Sequence, residues 1–178
     1  MKLILENVRC FSGRHQIPIR PLTLLVGENS SGKTTALAML SVALSRSGFG
    51  FRPDFNKPPY DLGNFRTTVS LGKRRSDAEQ FFSIGLEFAD DAPTKLRTLH
   101  ARFGDAEGQP NLRKLRVETV SGSVEIDASP ERVRYVVTGG DTKFEFNAEM
   151  ARHWQERGAS LSELLFYSMF QRKYDRKR

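Results

Sequence analysis

The chain has 178 residues, with 28 Lys and Arg against 21 Asp and Glu, so its formal net charge is +7. This length suits one ordinary domain, and a charged fraction of 28% with 13 Phe is typical of a globular chain rather than a disordered one. No apolar run approaches the roughly 20 residues that span a bilayer, and Glu6 stands where a signal peptide needs its apolar centre. We therefore expect a cytoplasmic protein with no membrane partner. One cysteine, Cys10, excludes an internal disulfide.

The first segment carries three short strand patterns. Residues 3–8 alternate in polarity, and residues 15–19 predict a second strand that Pro18 places at a sheet edge. Residues 22–26 form an apolar run between a proline and a glycine, which is the pattern of a strand buried on both faces.

A phosphate-binding motif follows this third strand pattern. Gly27-Glu28-Asn29-Ser30-Ser31-Gly32-Lys33-Thr34 fits G-x-x-x-x-G-K-[ST], the Walker A motif or P-loop. Two glycines allow the chain to turn tightly, so that backbone amides converge on phosphate oxygens at the start of a helix. Lys33 is the expected charge, and catalytic group, for the β- and γ-phosphates, and the Thr34 hydroxyl is the expected Mg²⁺ ligand. We expect residues 27–35, through Thr35, to bind the nucleotide.

The motif leads into a predicted helix and a long loop. Residues 34–44 have leucines at helical spacing without Gly or Pro, and Gly48 marks the helix end. Residues 48–65 are rich in Gly and Pro. Two interpretations of the aromatic side chains there remain open, stacking on a base or pinning the loop to the body, and we favour the second. The aromatics are Phe49, Phe51, Phe55, Tyr60 and Phe65.

The rest of the chain predicts an antiparallel β-meander over residues 81–148 and helices over 150–178. Apolar residues recur there at period two, and turn signals fall between the runs at 104–110, 121–122, 129–130 and 139–141. The opposite faces are charged, so one face is expected to be buried. The last seven residues hold five bases and one acid, and this basic tail suits either a DNA contact or a solvated helix end.

The N-terminal string resembles one group of ATPases. Leu5-Glu6-Asn7-Val8-Arg9-Cys10-Phe11, followed by the run from Ile19 to Thr35, is similar to the opening of the ABC-type ATPases grouped with RecF, the SMC proteins and the overcoming-lysogenization-defect (OLD) nucleases, with related bacterial AAA-type ATPases. The resemblance is strong over residues 1–45. It implies an α/β P-loop NTPase lobe that binds ATP and Mg²⁺, in which a β-meander packs against the P-loop core (1–47). The GTPase base reader Asn-Lys-x-Asp is missing, because residues 56–61 have the wrong spacing.

The resemblance also implies two further site residues. An arginine after the first strand often reaches the nucleotide in this group, and the matching residue is Arg9, although a surface arginine fits the same position. A glutamine after the meander usually contacts Mg²⁺ and the attacking water. Gln171 is the better-placed candidate for this catalytic glutamine and Gln155 is the other, and an ordinary helix-surface glutamine is the alternative for both.

Two motifs of the group are missing. No Asp-Glu pair follows four apolar residues, as Walker B requires, and Val120-Ser121-Gly122-Ser123 lies in a strand turn rather than in a signature motif. We therefore expect an N-terminal ATP-binding lobe of a longer or split ATPase, whose partners are a second ATPase unit and, as possibilities, DNA and an effector or nuclease. The alternatives are a stand-alone P-loop kinase or NTPase, and a nucleic-acid-binding module with a vestigial nucleotide site.

Overall fold

The computed structural model describes residues 1–45, 53–70, 80–89, 95–128, 133–139 and 142–146. The helices in these ranges are α1 (Lys33–Leu44) and the single turn α2 (Phe65–Thr68). The strands are β1 (Lys2–Val8), β2 (Phe11–Pro18), β3 (Phe81–Glu87), β4 (Leu96–Ala106), β5 (Gln109–Thr119), β6 (Gly122–Ala128), β7 (Val133–Gly139) and β8 (Thr142–Phe146).

All eight strands form one antiparallel sheet in the order β2-β1-β3-β4-β5-β6-β7-β8. From β3 to β8 each strand pairs with the next along the chain, so the predicted meander is confirmed as far as Phe146. β2 lies at the edge of the sheet, as Pro18 predicted, because a proline has no amide to donate to a second neighbour. One turn is shorter than the sequence suggested, since the β4–β5 hairpin turns at Glu107-Gly108 and Pro110 already lies in β5.

The two faces of the sheet differ in chemistry because side chains alternate along each strand. One cross-strand row on the inner face is apolar and fully or nearly fully buried: Leu5, Ile84, Ala101, Leu115 and Ile126. The neighbouring row on the outer face is polar: Arg14, Glu6, Ser83, Arg102, Lys114 and Asp127. The prediction of one buried and one charged face is therefore confirmed for β5 and β6, whereas Ile4 of β1 and Ser83 of β3 lie on the outer face and are buried as well.

α1 and the loop after it pack on the inner face. Met39 of α1 is fully buried in the same apolar core as the strands. The Phe55 ring meets Phe82 and Phe103 edge-on, at 5.5 and 5.3 Å between centroids, and Phe65 lies 5.8 Å from Phe82. Phe55 and Phe65 thus pin the loop to the sheet, as favoured from the sequence. Phe49 and Phe51 lie outside the described residues.

The prediction for residues 22–26 is wrong. No strand forms there, and Leu22, Leu24 and Val26 are 79%, 78% and 90% exposed. A buried strand needs a hydrogen-bonded neighbour on each side, and no described strand runs beside this segment. Most of the apolar run is therefore exposed, and Leu25 alone among residues 22–26 is partly buried against the core.

The predicted helices over 150–178 lie outside the described residues, together with Gln155, Gln171 and the basic tail. Within the described ranges, neither helix is long and apolar enough to cross a membrane.

Candidate nucleotide-binding site

The Walker A segment forms an exposed loop that leads directly into α1. Gly27 and Gly32 have φ angles of +156° and +94°, and Ser30 also has a positive φ of 66°. These left-handed conformations explain why the motif needs glycines at two of its positions, because a Cβ there is strained. Gly32 is the residue that caps the N-terminus of α1. The loop residues from 27 to 31 are all exposed, so a ligand can reach their backbone.

The ammonium group of Lys33 lies inside the loop. Its Nζ donates hydrogen bonds to the carbonyl oxygens of Gly27 at 2.8 Å and Glu28 at 2.6 Å, with a longer contact to Ser31 Oγ at 3.4 Å. No carboxylate pairs with it among the described residues. Lys33 therefore links the two ends of the loop through hydrogen bonds, and its positive charge remains available to attract a phosphate group.

The start of α1 leaves backbone donors without acceptors. The first helical hydrogen bond runs from the Ala36 amide to the Gly32 carbonyl at 2.8 Å. Within the described part of the chain, the amides of Lys33, Thr34 and Thr35 donate to no protein acceptor, and Gly32 offers no side-chain cap. The first turn also contains no acidic residue to offset the positive end of the helix dipole. These free amides and the uncompensated dipole suit a phosphate group.

The two threonines of the motif differ in exposure. Thr34 is exposed, so its hydroxyl is available to a metal ion on the phosphate side of the helix. Thr35 is 6% exposed and packs inward with α1, so its side chain belongs to the core, while its amide lies among the free donors. The residues present thus fit a nucleotide with Mg²⁺, with Thr34 as the residue that would hold the metal.

The turn between β1 and β2 supports the loop from one side. A Cβ on Gly32 would lie 2.6 Å from Cys10 Sγ and 2.9 Å from Phe11 Cζ, which is closer than real atoms approach. Gly32 is therefore required by close packing as well as by its φ angle. Sequence reasoning did not identify Cys10 and Phe11 as neighbours of the loop, because 22 residues separate Gly32 from Cys10 along the chain and the contact depends on the fold.

Arg9 makes backbone contacts within the described residues. Its Nη2 donates to the Leu62 carbonyl at 3.0 Å and its Nε to the Thr67 carbonyl at 3.2 Å. Its own amide donates to the Thr68 carbonyl at 2.8 Å. Arg9 therefore ties the β1–β2 turn to residues 62–68, and these bonds use two of the five N–H donors of its guanidinium. The glutamines proposed for the site, Gln155 and Gln171, lie outside the described residues.

Comparison with known proteins agrees with this loop. A family model described as AAA domain matches residues 2–166, which is most of the chain. No curated protein and no solved structure gives a significant match. The AAA domain indicates an ATP-binding P-loop module, and the loop at residues 27–34 is the part of this chain with that chemistry. The chain belongs to the AAA domain family of P-loop ATPases.

Proposed function

We propose that this chain is the ATP-binding lobe of an ATPase of the RecF, SMC and OLD group, which works with a complementary lobe carrying Walker B and signature motifs. Its biological setting would be DNA maintenance or antiphage defence, with a nuclease or other effector. The observation that carries the proposal is a set of exposed apolar side chains that precede and follow the phosphate loop in sequence. We call it the apolar strip, and it consists of Leu22, Leu24, Val26, Leu37 and Leu44.

The apolar strip comprises three side chains of the segment before the loop and two of α1, the helix that follows the loop. Leu37 and Leu44 are 43% and 59% exposed, although α1 is apolar around most of its circumference. A helix that is apolar on all sides normally packs on all sides. Exposed large apolar side chains, when they form one patch, mark an interaction surface in folded proteins. A second lobe whose strands pair with residues 22–26 would cover this surface.

In the proposed site, the chain's own residues bind and orient the triphosphate. The free amides at the start of α1 would donate hydrogen bonds to phosphate oxygens, and Lys33 would exchange its carbonyl partners for the β- and γ-phosphates. Mg²⁺, when bound, supplies charge neutralisation between those phosphates, with Thr34 as its protein ligand. Phosphoryl transfer to water also needs a group that positions the water, and in the resembling group this is the Walker B glutamate. No such Asp-Glu pair occurs in the 178 residues.

Steady-state ATP turnover by the purified chain tests the proposal. Losing one positioned catalytic group commonly costs a factor of ~10²–10³ in rate, so we expect turnover near background. Adding a complementary lobe, in cis or in trans, should restore it. Robust hydrolysis by the chain alone, lost in Lys33→Ala, would contradict the proposal and favour a stand-alone ATPase. Phosphorylation of an added acceptor, with no hydrolysis in its absence, would favour a kinase.

DNA remains a proposed partner through the basic tail at residues 172–178. Each phosphate contact on duplex DNA contributes about −0.9 to the slope of log affinity against log salt concentration. Deleting the tail should therefore weaken DNA binding and flatten this slope. An unchanged slope would remove the tail from the DNA interface. DNA binding without any ATP binding would favour the nucleic-acid module with a vestigial site.

A further inference from the structure

We propose that a cavity near the C-terminal end of α1, the helix whose N-terminal end carries the phosphate loop, binds an arginine side chain presented by a peptide or protein partner. The cavity lies between residues 53–63 and the β4–β5 hairpin and has a volume of about 440 Å³. This volume falls in the range of ~300–1,000 Å³ that is usual for ligand sites. The inference goes beyond the proposed ATP-binding function, because none of the lining residues belongs to the Walker A motif.

The cavity has an apolar floor and an acidic rim. Pro53, Phe55 and Pro110 line it and are buried, while Asp54 and Glu107 line it and are exposed. The remaining side chains at its walls include the amides of Gln109 and Asn111. A ligand that fills this space is therefore bordered both by buried apolar residues and by exposed residues that carry carboxylate and amide groups.

The walls are held in place before any ligand arrives. Asn56 Oδ1 accepts hydrogen bonds from the amides of Leu62 at 3.0 Å and Gly63 at 2.8 Å, and its Nδ2 donates to the Gly63 carbonyl at 3.1 Å. The Phe65 amide donates to the Gly108 carbonyl at 2.9 Å, which joins this loop to the hairpin tip. Phe55 is anchored in the aromatic cluster below the floor. Little ordering entropy is then lost when a ligand enters, so the cavity is preorganised for binding.

Charge selects a cation as the ligand. Although the whole chain has a net charge of +7, no Lys or Arg is among the described residues that line this cavity. Lys57 faces a smaller neighbouring space instead. Asp54 and Glu107 thus present negative charge with no cation from the lining to neutralise it.

An arginine side chain matches both parts of the cavity. Its methylene stem covers apolar surface, and its planar guanidinium stacks on flat groups and donates up to five hydrogen bonds to carboxylate and amide oxygens. A lysine ammonium satisfies the rim but stacks poorly on the proline and phenylalanine floor. The arrangement therefore favours arginine over lysine.

The cavity is separated from the phosphate loop by the length of α1. Asp54 and Phe55 also face Val42 and Ser45, at the C-terminal end of that helix. Because α1 has 12 residues and rises about 1.5 Å per residue, its two ends lie ~18 Å apart. Binding at the cavity can therefore be measured independently of nucleotide.

The test is a titration of the ¹⁵N-labelled protein with N-acetyl-arginine amide, followed by amide chemical shifts. N-acetyl-citrulline amide is the neutral control of nearly the same shape. We expect saturable shifts confined to residues 53–56 and 106–111, at least about tenfold weaker binding of citrulline, and weaker binding of the matching lysine amide. The same titration of Lys33→Ala should be unchanged, which separates this inference from the ATP proposal.

Two double variants complete the test. Asp54→Asn with Glu107→Gln neutralises the rim, and the asparagine keeps an Oδ1 for the Asn56 amide that Asp54 now caps at 3.0 Å. Glu125→Gln with Asp127→Asn removes two charges from β6 instead. Arginine binding should fall at least about tenfold in the rim variant and stay unchanged in the β6 variant. No saturable shift, equal citrulline binding, equal loss in both variants, or tighter binding of spermidine than of the arginine amide would overturn the proposal.

Discussion

At the scale of single residues, the phosphate loop is suited to bind an anion because several of its hydrogen-bond donors have no anionic or protein acceptor in the described part of the chain. The Lys33 ammonium contacts only carbonyl and hydroxyl oxygens, and the amides of Lys33, Thr34 and Thr35 have no acceptor in the described part of the chain. These groups are consecutive in sequence, so the motif alone was sufficient to predict them. The contact of Gly32 with Cys10 and Phe11 was not predictable in this way, because it depends on where β1 and β2 place their turn.

Thr34 provides a test of the metal ligand. Thr34→Ala should leave the melting temperature without ligand nearly unchanged, because the side chain is exposed. The affinity for ATP with Mg²⁺ should fall at least about fivefold, on the order of 1 kcal/mol, while the affinity for ATP in EDTA changes little. Thr34→Ser should restore the Mg²⁺-dependent part. Equal losses with and without Mg²⁺ in calorimetric titrations would contradict the assignment of Thr34 to the metal.

His100, on the outer face of β4, makes stability depend on pH. Burial lowers the pKa of His100 below its ordinary 6.5, Arg14, Arg102 and Arg116 lower it further, and Glu6 opposes them. Between the lowered folded pKa and 6.5 the unfolded chain binds more protons than the folded one, so stability is lost as pH falls through this window. In urea unfolding at about pH 7.5 and about pH 5.5, His100→Gln should lose less free energy of unfolding than the wild type. A pH dependence that is identical in wild type and His100→Gln would assign the effect to other groups.

At the scale of secondary structure elements, period-two patterns predicted β5 and β6 well because their side chains alternate between a buried and a wetter face. β3 differs, since both of its faces are buried. The apolar run at residues 22–26 predicted a strand that does not form. The apolar pattern of a segment indicates only that the segment would be stable when buried. Burial as a strand also requires a neighbouring strand to pair with, and no described strand pairs with residues 22–26. The apolar side chains of α1 likewise differ in burial according to their neighbours. Met39 packs in the core with the sheet, whereas Leu37 and Leu44 remain exposed.

Substitutions in the apolar strip should therefore cost little stability in the isolated chain. Leu24→Ser removes a side chain that is 78% exposed, so the free energy of unfolding should change by no more than ~0.5 kcal/mol. Because exposed apolar side chains promote aggregation of a chain without its partner, any rise of light scattering with concentration in the wild type should be smaller in Leu24→Ser. The matched control is Leu5→Ala, which removes a fully buried side chain and should cost ~2–5 kcal/mol. A large loss of stability in Leu24→Ser would mean that residues 22–26 are buried in the chain itself.

At the scale of the whole molecule, the antiparallel sheet supplies one packed face, and α1 connects that face to the phosphate loop. The fold class was predictable because the P-loop motif and the meander are both local patterns. The exposure of Leu37 and Leu44 on α1 was not predictable, because it depends on which parts of the helix remain uncovered after folding. An ATP site at one end of α1 and a proposed arginine-binding cavity at the other give the molecule two separately testable surfaces.

The central claim is that this chain binds ATP through residues 27–35. A ligand that binds only the folded state stabilises it by RT ln(1 + [L]/Kd), about 2.7 kcal/mol at a hundredfold excess over Kd. The most direct measurement is the melting temperature with and without ATP and Mg²⁺, for the wild type, Lys33→Ala and the exposed-lysine control Lys95→Ala. We expect an ATP-induced rise in the wild type and in Lys95→Ala, and little or no rise in Lys33→Ala, with all three melting similarly without ligand. An equal rise in Lys33→Ala, or no rise in the wild type, would contradict the account.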